Sequence, residues 1–219
     1  MDTKMRLRFC KTGKAIYISH LDLMATMQRA LLRAGISLKY SEGFNPHPYI
    51  SIALPMPVGC ASLCELMDFQ PEQEISAAKL PDKLNTVLPE GIRIVEAYTP
   101  HRKSAEIAWL EVAGEWRYGE RTQQAIADKL STRFSADVIM IAKKTKRGEI
   151  YTDIAPLIHD ITFSDETEVH MRARISAQNP TLNPAGLLGA LTGEFADIAP
   201  DFTLFRRVEV YDRAMAVFR

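Results

Sequence analysis

The chain has 219 residues, of which 47% are hydrophobic and 25% charged, with 27 basic side chains balanced by 27 acidic ones. This composition is ordinary for a folded globular protein and excludes a disordered or low-complexity chain. The length fits one large domain or two small ones, and no apolar run reaches the roughly 18 residues that a bilayer span requires. The first residues alternate charged with apolar side chains and contain no signal-peptide core, so a cytoplasmic protein with no membrane partner is expected. Zero net charge hides a segregation. Residues 1–50 carry a net +5 and residues 51–100 a net −4, which is compatible with a basic face for a polyanion and equally with charges that interleave on folding.

The N-terminal segment 5–11 alternates as a strand, with Met5, Leu7 and Phe9 on one face and Arg6, Arg8 and Cys10 on the other. After the turn at Gly13, Ser19 reads as an N-cap and Asp22 as the acidic residue of the first helical turn. The helix is expected over 20–34, stopping at Gly35, with Leu23, Met27, Ala30, Leu31 and Ala34 as its apolar stripe. Strands follow at 49–54 and 63–69, a second helix at 77–88, and a strand at 92–98. That β-α-β-β-α-β order is the ferredoxin-like plan, with both helices on one face of an antiparallel sheet.

The polar stretch 99–104 marks a boundary, giving domains over 1–100 and 104–219. Beyond it a strand at 105–112, a helix at 121–133, and strands at 138–144, 149–154, 159–163 and 169–175 are expected. A short helix at 184–191, capped by Asn183, and a closing strand at 202–210 complete the chain. The fold class is therefore α+β, read as tandem ferredoxin-like halves, the second with extra strands.

The most distinctive stretch is Ser41-Glu42-Gly43-Phe44-Asn45-Pro46-His47-Pro48. Gly43 admits positive φ, and Pro46 and Pro48 fix their own φ while pushing Asn45 and His47 toward extended geometry. The result is a stiff loop that aims Asn45 and His47 in defined directions, or else a rigid connector into the next strand. Tyr40, Phe44 and Tyr49 flank it and suit stacking on unpaired bases, or packing. Asp22, Thr26, Arg29 and Arg33 share one helix face, so Arg29 and Arg33 form either a phosphate-matched ladder or a solvated polar face. Lys143, Lys144, Lys146 and Arg147 cluster at a hairpin turn, where they can clamp a nucleic-acid backbone or solubilise a sheet edge.

His20 and His47 are the general acid/base candidates of the first half, with Asp22 available to orient an imidazole. Glu65 and Asp68, three apart on a strand, face opposite sides and do not form a carboxylate pair. Cys60 and Cys64 stand at C-x3-C spacing without a second ligand pair, so no metal site is expected and the three cysteines read as incidental thiols. No nucleotide-binding glycine pattern or serine elbow occurs.

Taken together, Met5-Arg6-Leu7-Arg8-Phe9, Ile18-Ser19-His20-Leu21-Asp22-Leu23, Arg29, Arg33 and the loop from Gly43 to Pro48 resemble the radical-SAM-linked domain of unknown function. So do Ala53-Leu54-Pro55-Met56-Pro57-Val58-Gly59, Glu65 and Asp68, and more loosely the 143–154 strand pair and Asn183-Pro184. The resemblance covers most of the chain, and its specific part runs from Arg6 to Asp68. It implies a domain found free or fused C-terminally to cobalamin-binding radical-SAM proteins, in an RNA context and with no established reaction. This chain looks like the free-standing form. It lacks the third cysteine of an iron–sulfur motif, so it is not itself the radical enzyme and needs no cofactor of its own.

Three functional readings follow. The first is an accessory module that binds RNA, or a radical-SAM partner acting on RNA, through Arg29, Arg33, Phe44, Asn45 and His47. The second is a metal-independent RNA-processing or RNA-modifying enzyme using His20 and His47. The third is a purely protein-binding structural domain.

Overall fold

The computed structural model describes residues 4–119, 124–145, 148–165 and 168–219. The chain forms two compact units, one running to Glu106 and taking in Arg219, the other spanning Ile107–Phe218. Both are mixed α+β structures built on antiparallel strands. Among the described residues no helix is long and apolar enough to cross a membrane.

The first unit contains β1 (Met5–Lys11), α1 (His20–Arg33), β2 (Ile50–Ile52), β3 (Ala61–Phe69), α2 (Leu80–Asn85) and β4 (Ile92–Tyr98). Its strands lie in the order β4-β1-β3-β2, and every pairing is antiparallel. Alternation along β1 sends Met5, Leu7 and Phe9 into a core with Leu23, Met27 and Leu31 of α1, so the expected stripe of α1 is buried. Ser19 caps the helix. Its hydroxyl accepts from the Asp22 backbone N–H at 3.1 Å and donates to Asp22 Oδ2 at 2.7 Å, which satisfies an otherwise orphaned donor of the first turn.

Two elements are shorter than their apolar patterns predict. β2 keeps only Ile50–Ile52 of the expected 49–54, because Leu54 adopts a positive φ of 52° and turns the chain away. α2 keeps 80–85 behind a 3-10 turn at Ala77–Lys79, with a proline in its first turn. Gly91 closes that connection. Its φ is +87°, and a Cβ there would stand 2.4 Å from the Thr12 carbonyl oxygen, so only glycine fits.

The second unit contains β5 (Trp109–Arg117), α3 (Gln124–Phe134), β6 (Met140–Thr145), β7 (Gly148–Asp153), β8 (Ile158–Asp165), β9 (Val169–Ser176) and β10 (Phe202–Tyr211). Its main sheet runs β10-β5-β9-β8, antiparallel throughout, while β6 and β7 pair with each other as a separate hairpin. Counting only the main-sheet strands, each unit has the spatial order fourth-first-third-second.

The expected helix at 184–191 is a 3-10 turn, Pro184–Ala190, followed by another at Gly193–Ile198. Asn183 caps it as expected, accepting from the Ala185 N–H at 3.1 Å. Gly186 and Gly189 weaken α-helix formation here. A Cβ on Gly189 would stand 3.2 Å from Ile141 Cβ, so the glycine lets this turn lie close against β6.

The polar face of β1 is not a solvated one. Arg6 is completely buried, as is most of Lys11 on the helix side of the same strand. The reach of each long side chain to fixed acceptors is what makes this tolerable. Lys11 Nζ donates to the carbonyls of Ile16 and Ile18 at 3.2 and 3.1 Å, and Arg6 meets a carboxylate described below.

Candidate functional site

The loop after α1 is held in one shape by its own ends. Ser41 N–H donates to the His47 carbonyl at 2.8 Å, and His47 N–H donates back to Ser41 Oγ at 2.9 Å. Tyr40 and Pro48 form an antiparallel bridge, and Tyr49 N–H donates to the Lys39 carbonyl at 2.9 Å. Gly43 takes φ +118° at the turn, a region that disfavours any side chain. Residues 42–47 are exposed, and Phe44 is fully so. Phe44 therefore gains no burial from folding.

The other first-half candidates sit apart from one another in role. Asp22 commits a carboxylate oxygen to the Ser19 hydroxyl in the cap. His20 is half-buried at the first position of α1, whereas Gln28 Nε2 approaches Tyr40 Oη at 3.5 Å beside the loop. The eight-residue step from His20 to Gln28 amounts to about 12 Å along the helix axis. Arg33 Nη2 donates to the Val87 carbonyl at 3.0 Å and so ties α1 to the segment after α2. Arg29 is exposed on the same helix.

In the second unit Lys143 is exposed on the β6–β7 hairpin opposite Ile150, and Lys144 pairs in register with Glu149. Lys146 and Arg147 lie outside the described residues. Ile150 and Tyr151 are exposed on the partner strand, so the hairpin mixes cation with apolar surface. On the main sheet, Glu111 accepts from Arg172 on one oxygen and from Tyr211 Oη at 2.5 Å on the other. Burial, and the hydrogen bond and charge of Glu111, push the Tyr211 phenol up to about 12.

Sequence reasoning missed the ionic cluster on the second face of the first sheet. Arg6 grips Asp68 with two donors, Nε to Oδ1 at 2.6 Å and Nη2 to Oδ2 at 3.0 Å, and Lys4 Nζ approaches Oδ2 at 3.0 Å. Arg6 Nη2 also donates to the Arg102 carbonyl at 3.1 Å and to Ser104 Oγ at 3.2 Å, so the segment after β4 folds over this face. Burial works to raise the Asp68 carboxyl, but the hydrogen bonds and charges of Arg6 and Lys4 outweigh it and hold it below its ordinary value. Burial likewise pushes up the Tyr98 phenol beside Arg6, against the pull of the guanidinium. Arg6 and Asp68 are 62 positions apart and directly opposed across β1 and β3. A cross-strand charge pair in one register was the only available signal.

Glu65 does face away from Asp68, standing opposite Phe9 on the helix side. Cys10, Cys60 and Cys64 are free thiols, and burial raises that of Cys10. Among the described residues no three His, Cys, Asp or Glu side chains are grouped to hold a metal ion. No curated protein matches this chain. A family model matches residues 4–184, the larger part of both units, and on that match the chain belongs to the family described as an uncharacterized protein conserved in bacteria (DUF2344).

Proposed function

We propose that this protein is an accessory module that binds single-stranded RNA, presenting it to a radical-SAM partner in the cytoplasm, and that it carries no cofactor of its own. The fold reading that goes with this is a tandem ferredoxin-like chain, supported by the repeated fourth-first-third-second strand order. The single observation that carries the functional reading is the pinned loop, which holds Phe44 fully exposed beside Asn45 and His47. Unpaired bases are recognised by stacking on such side chains and by hydrogen bonds to their edges. Within the first unit, Arg29 on α1 supplies charge for the backbone, and Arg33 keeps further N–H donors beyond the one given to Val87.

The test incubates the purified chain with labelled cellular RNA, with and without the radical-SAM protein. The module predicts retention of RNA by the chain alone and chemical change only when the partner is present. Phe44→Ala should weaken retention without loss of stability, because a fully exposed ring contributes no burial. RNA cleavage by the isolated chain would refute the module and move the chemistry to His20 and His47. Absence of RNA binding in both arms would leave a protein-binding domain.

A further inference from the structure

The face of the first sheet away from α1 carries a cleft of about 240 Å³ beside the Arg6–Asp68 cluster. It is lined by Lys4, Tyr49, Ser51, Asp68 and Gln70, with Pro48, Ile50 and Phe69 completing the wall. The pleat explains why these side chains meet. Ser51 stands directly opposite Asp68 across β2 and β3, Tyr49 and Gln70 lie two positions away on their respective chains, and Lys4 precedes Arg6 by two. With period-two alternation all five fall on the face away from α1.

From these groups we infer that the cleft receives one unpaired nucleotide of a single-stranded RNA, with its base stacked on Tyr49 and its edge read by Gln70 and Ser51. This rests on the RNA reading above and names where a base is held. The cleft is below the roughly 300–1,000 Å³ that encloses a whole drug-sized ligand, so it suits one group of a longer chain. Tyr49 is 47% exposed, which leaves its ring available for stacking. The Gln70 amide offers both donors and an acceptor, and the Ser51 hydroxyl offers either, the combination a base edge requires.

Charge points the same way. Asp68 Oδ1 and Oδ2 already receive three donors, from Arg6 twice and Lys4 once. Lys4 Nζ keeps two of its three donors, and the buried Arg6 guanidinium behind Asp68 gives the Arg6–Lys4–Asp68 group, though not the cleft lining itself, one positive charge in excess. An anionic phosphate next to the base meets that excess. Pro48 and Tyr49 follow His47 without a break, so the cleft continues the pinned loop, and neighbouring nucleotides can occupy both.

The experiment measures fluorescence anisotropy of labelled single-stranded homopolymers of U, A and C against the full chain and the variants Tyr49→Ala, Tyr49→Phe, Gln70→Ala and Lys4→Gln. Tyr49→Ala should lose about 5- to 150-fold in affinity with an unchanged salt slope, and Tyr49→Phe should retain it. Gln70→Ala should change the preference among the homopolymers. Lys4→Gln should flatten the salt dependence by about 0.7 log units per log of salt. If the wild type binds and Tyr49→Ala and Gln70→Ala bind equally well, the cleft assignment is overturned while the RNA reading stands. If the wild type binds no homopolymer, the four nucleoside monophosphates are titrated against its amide chemical shifts. Shifts confined to Tyr49, Ser51 and Gln70 would then keep the cleft and overturn the RNA reading, and no shifts would overturn both.

Discussion

Asp68→Ala tests the ionic cluster at its centre. Arg6 is 0% exposed and reaches Asp68 through two hydrogen bonds, of 2.6 and 3.0 Å, so removing the carboxylate strands a guanidinium inside the first unit. Removing one member of a buried pair costs about 3–5 kcal/mol, a large share of the roughly 5–15 kcal/mol that stabilises a domain. Lys4 adds little to that loss, because its side chain is 38% exposed and returns to water. Replacing both partners, Arg6→Met with Asp68→Leu, should recover part of that loss, since apolar substitutes of similar size need no counter-charge. A residue of about 1–3 kcal/mol should remain, because the Arg102 carbonyl and Ser104 hydroxyl lose the Arg6 donor. Urea unfolding followed by far-ultraviolet circular dichroism, together with hydrogen exchange of the β1 and β3 amides, reads the effect in the correct unit. The pH dependence has a definite sign. Asp68 is held below its ordinary value in the folded chain, so its contribution is complete above the unfolded value of about 3.9 and is lost as pH falls through the folded one. Asp68→Asn should therefore flatten the acid limb of the stability profile. A cost under about 1 kcal/mol for Asp68→Ala, with no recovery in the double variant, would refute the account of this face as a buried pair.

Two further outcomes separate structural from binding roles. Arg33→Ala should cost about 0.5–1.5 kcal/mol, because it removes the hydrogen bond to the Val87 carbonyl, whereas Arg29→Ala should leave the urea midpoint unchanged and flatten the salt dependence of RNA binding by about 0.7 log units per log of salt; equal stability losses would place Arg29 in an internal network. In the second unit the folded Tyr211 phenol titrates at about 12, above its unfolded value, so its stabilising contribution is complete below the unfolded value and is lost as pH rises from about 10 to about 12. Tyr211→Phe should abolish that alkaline loss, and an ultraviolet phenolate titration that finds no tyrosine ionising late would contradict the Tyr211–Glu111 contact.

Elements with a strong local period are legible in the amino-acid sequence. α1 carries its cap, stripe and terminator within consecutive residues, and they are found at Ser19, Leu23 to Ala34 and Gly35. The strands of both units are likewise legible with ends displaced by a few residues, except that the one expected at 105–112 lies at Trp109–Arg117, behind a 3-10 turn at Ser104–Glu106. The turn at Pro184–Ala190 is not legible as 3-10, because its apolar residues fit either helix. The loop at 41–48 can be read as stiff from Gly43, Pro46 and Pro48, since φ restrictions are properties of single residues. Its exposure cannot, because solvent access depends on what packs nearby.

What sequence alone determined was therefore local: which segments are periodic, where they start and stop, and which backbone positions are restricted. Tertiary structure decided which charges are inside. Arg6, Arg8, Arg29 and Arg33 are equivalent as symbols, yet Arg6 lies buried against Asp68 and Arg29 stands in water. The physical reason is that desolvating a charge is compensated only by a partner in register, and here that partner arrives from a strand 62 residues away. The same long-range pairing of β2 with β3 brings Tyr49 and Ser51 beside Asp68 and Gln70. No local pattern encodes that cleft, because it exists only once the strands are paired.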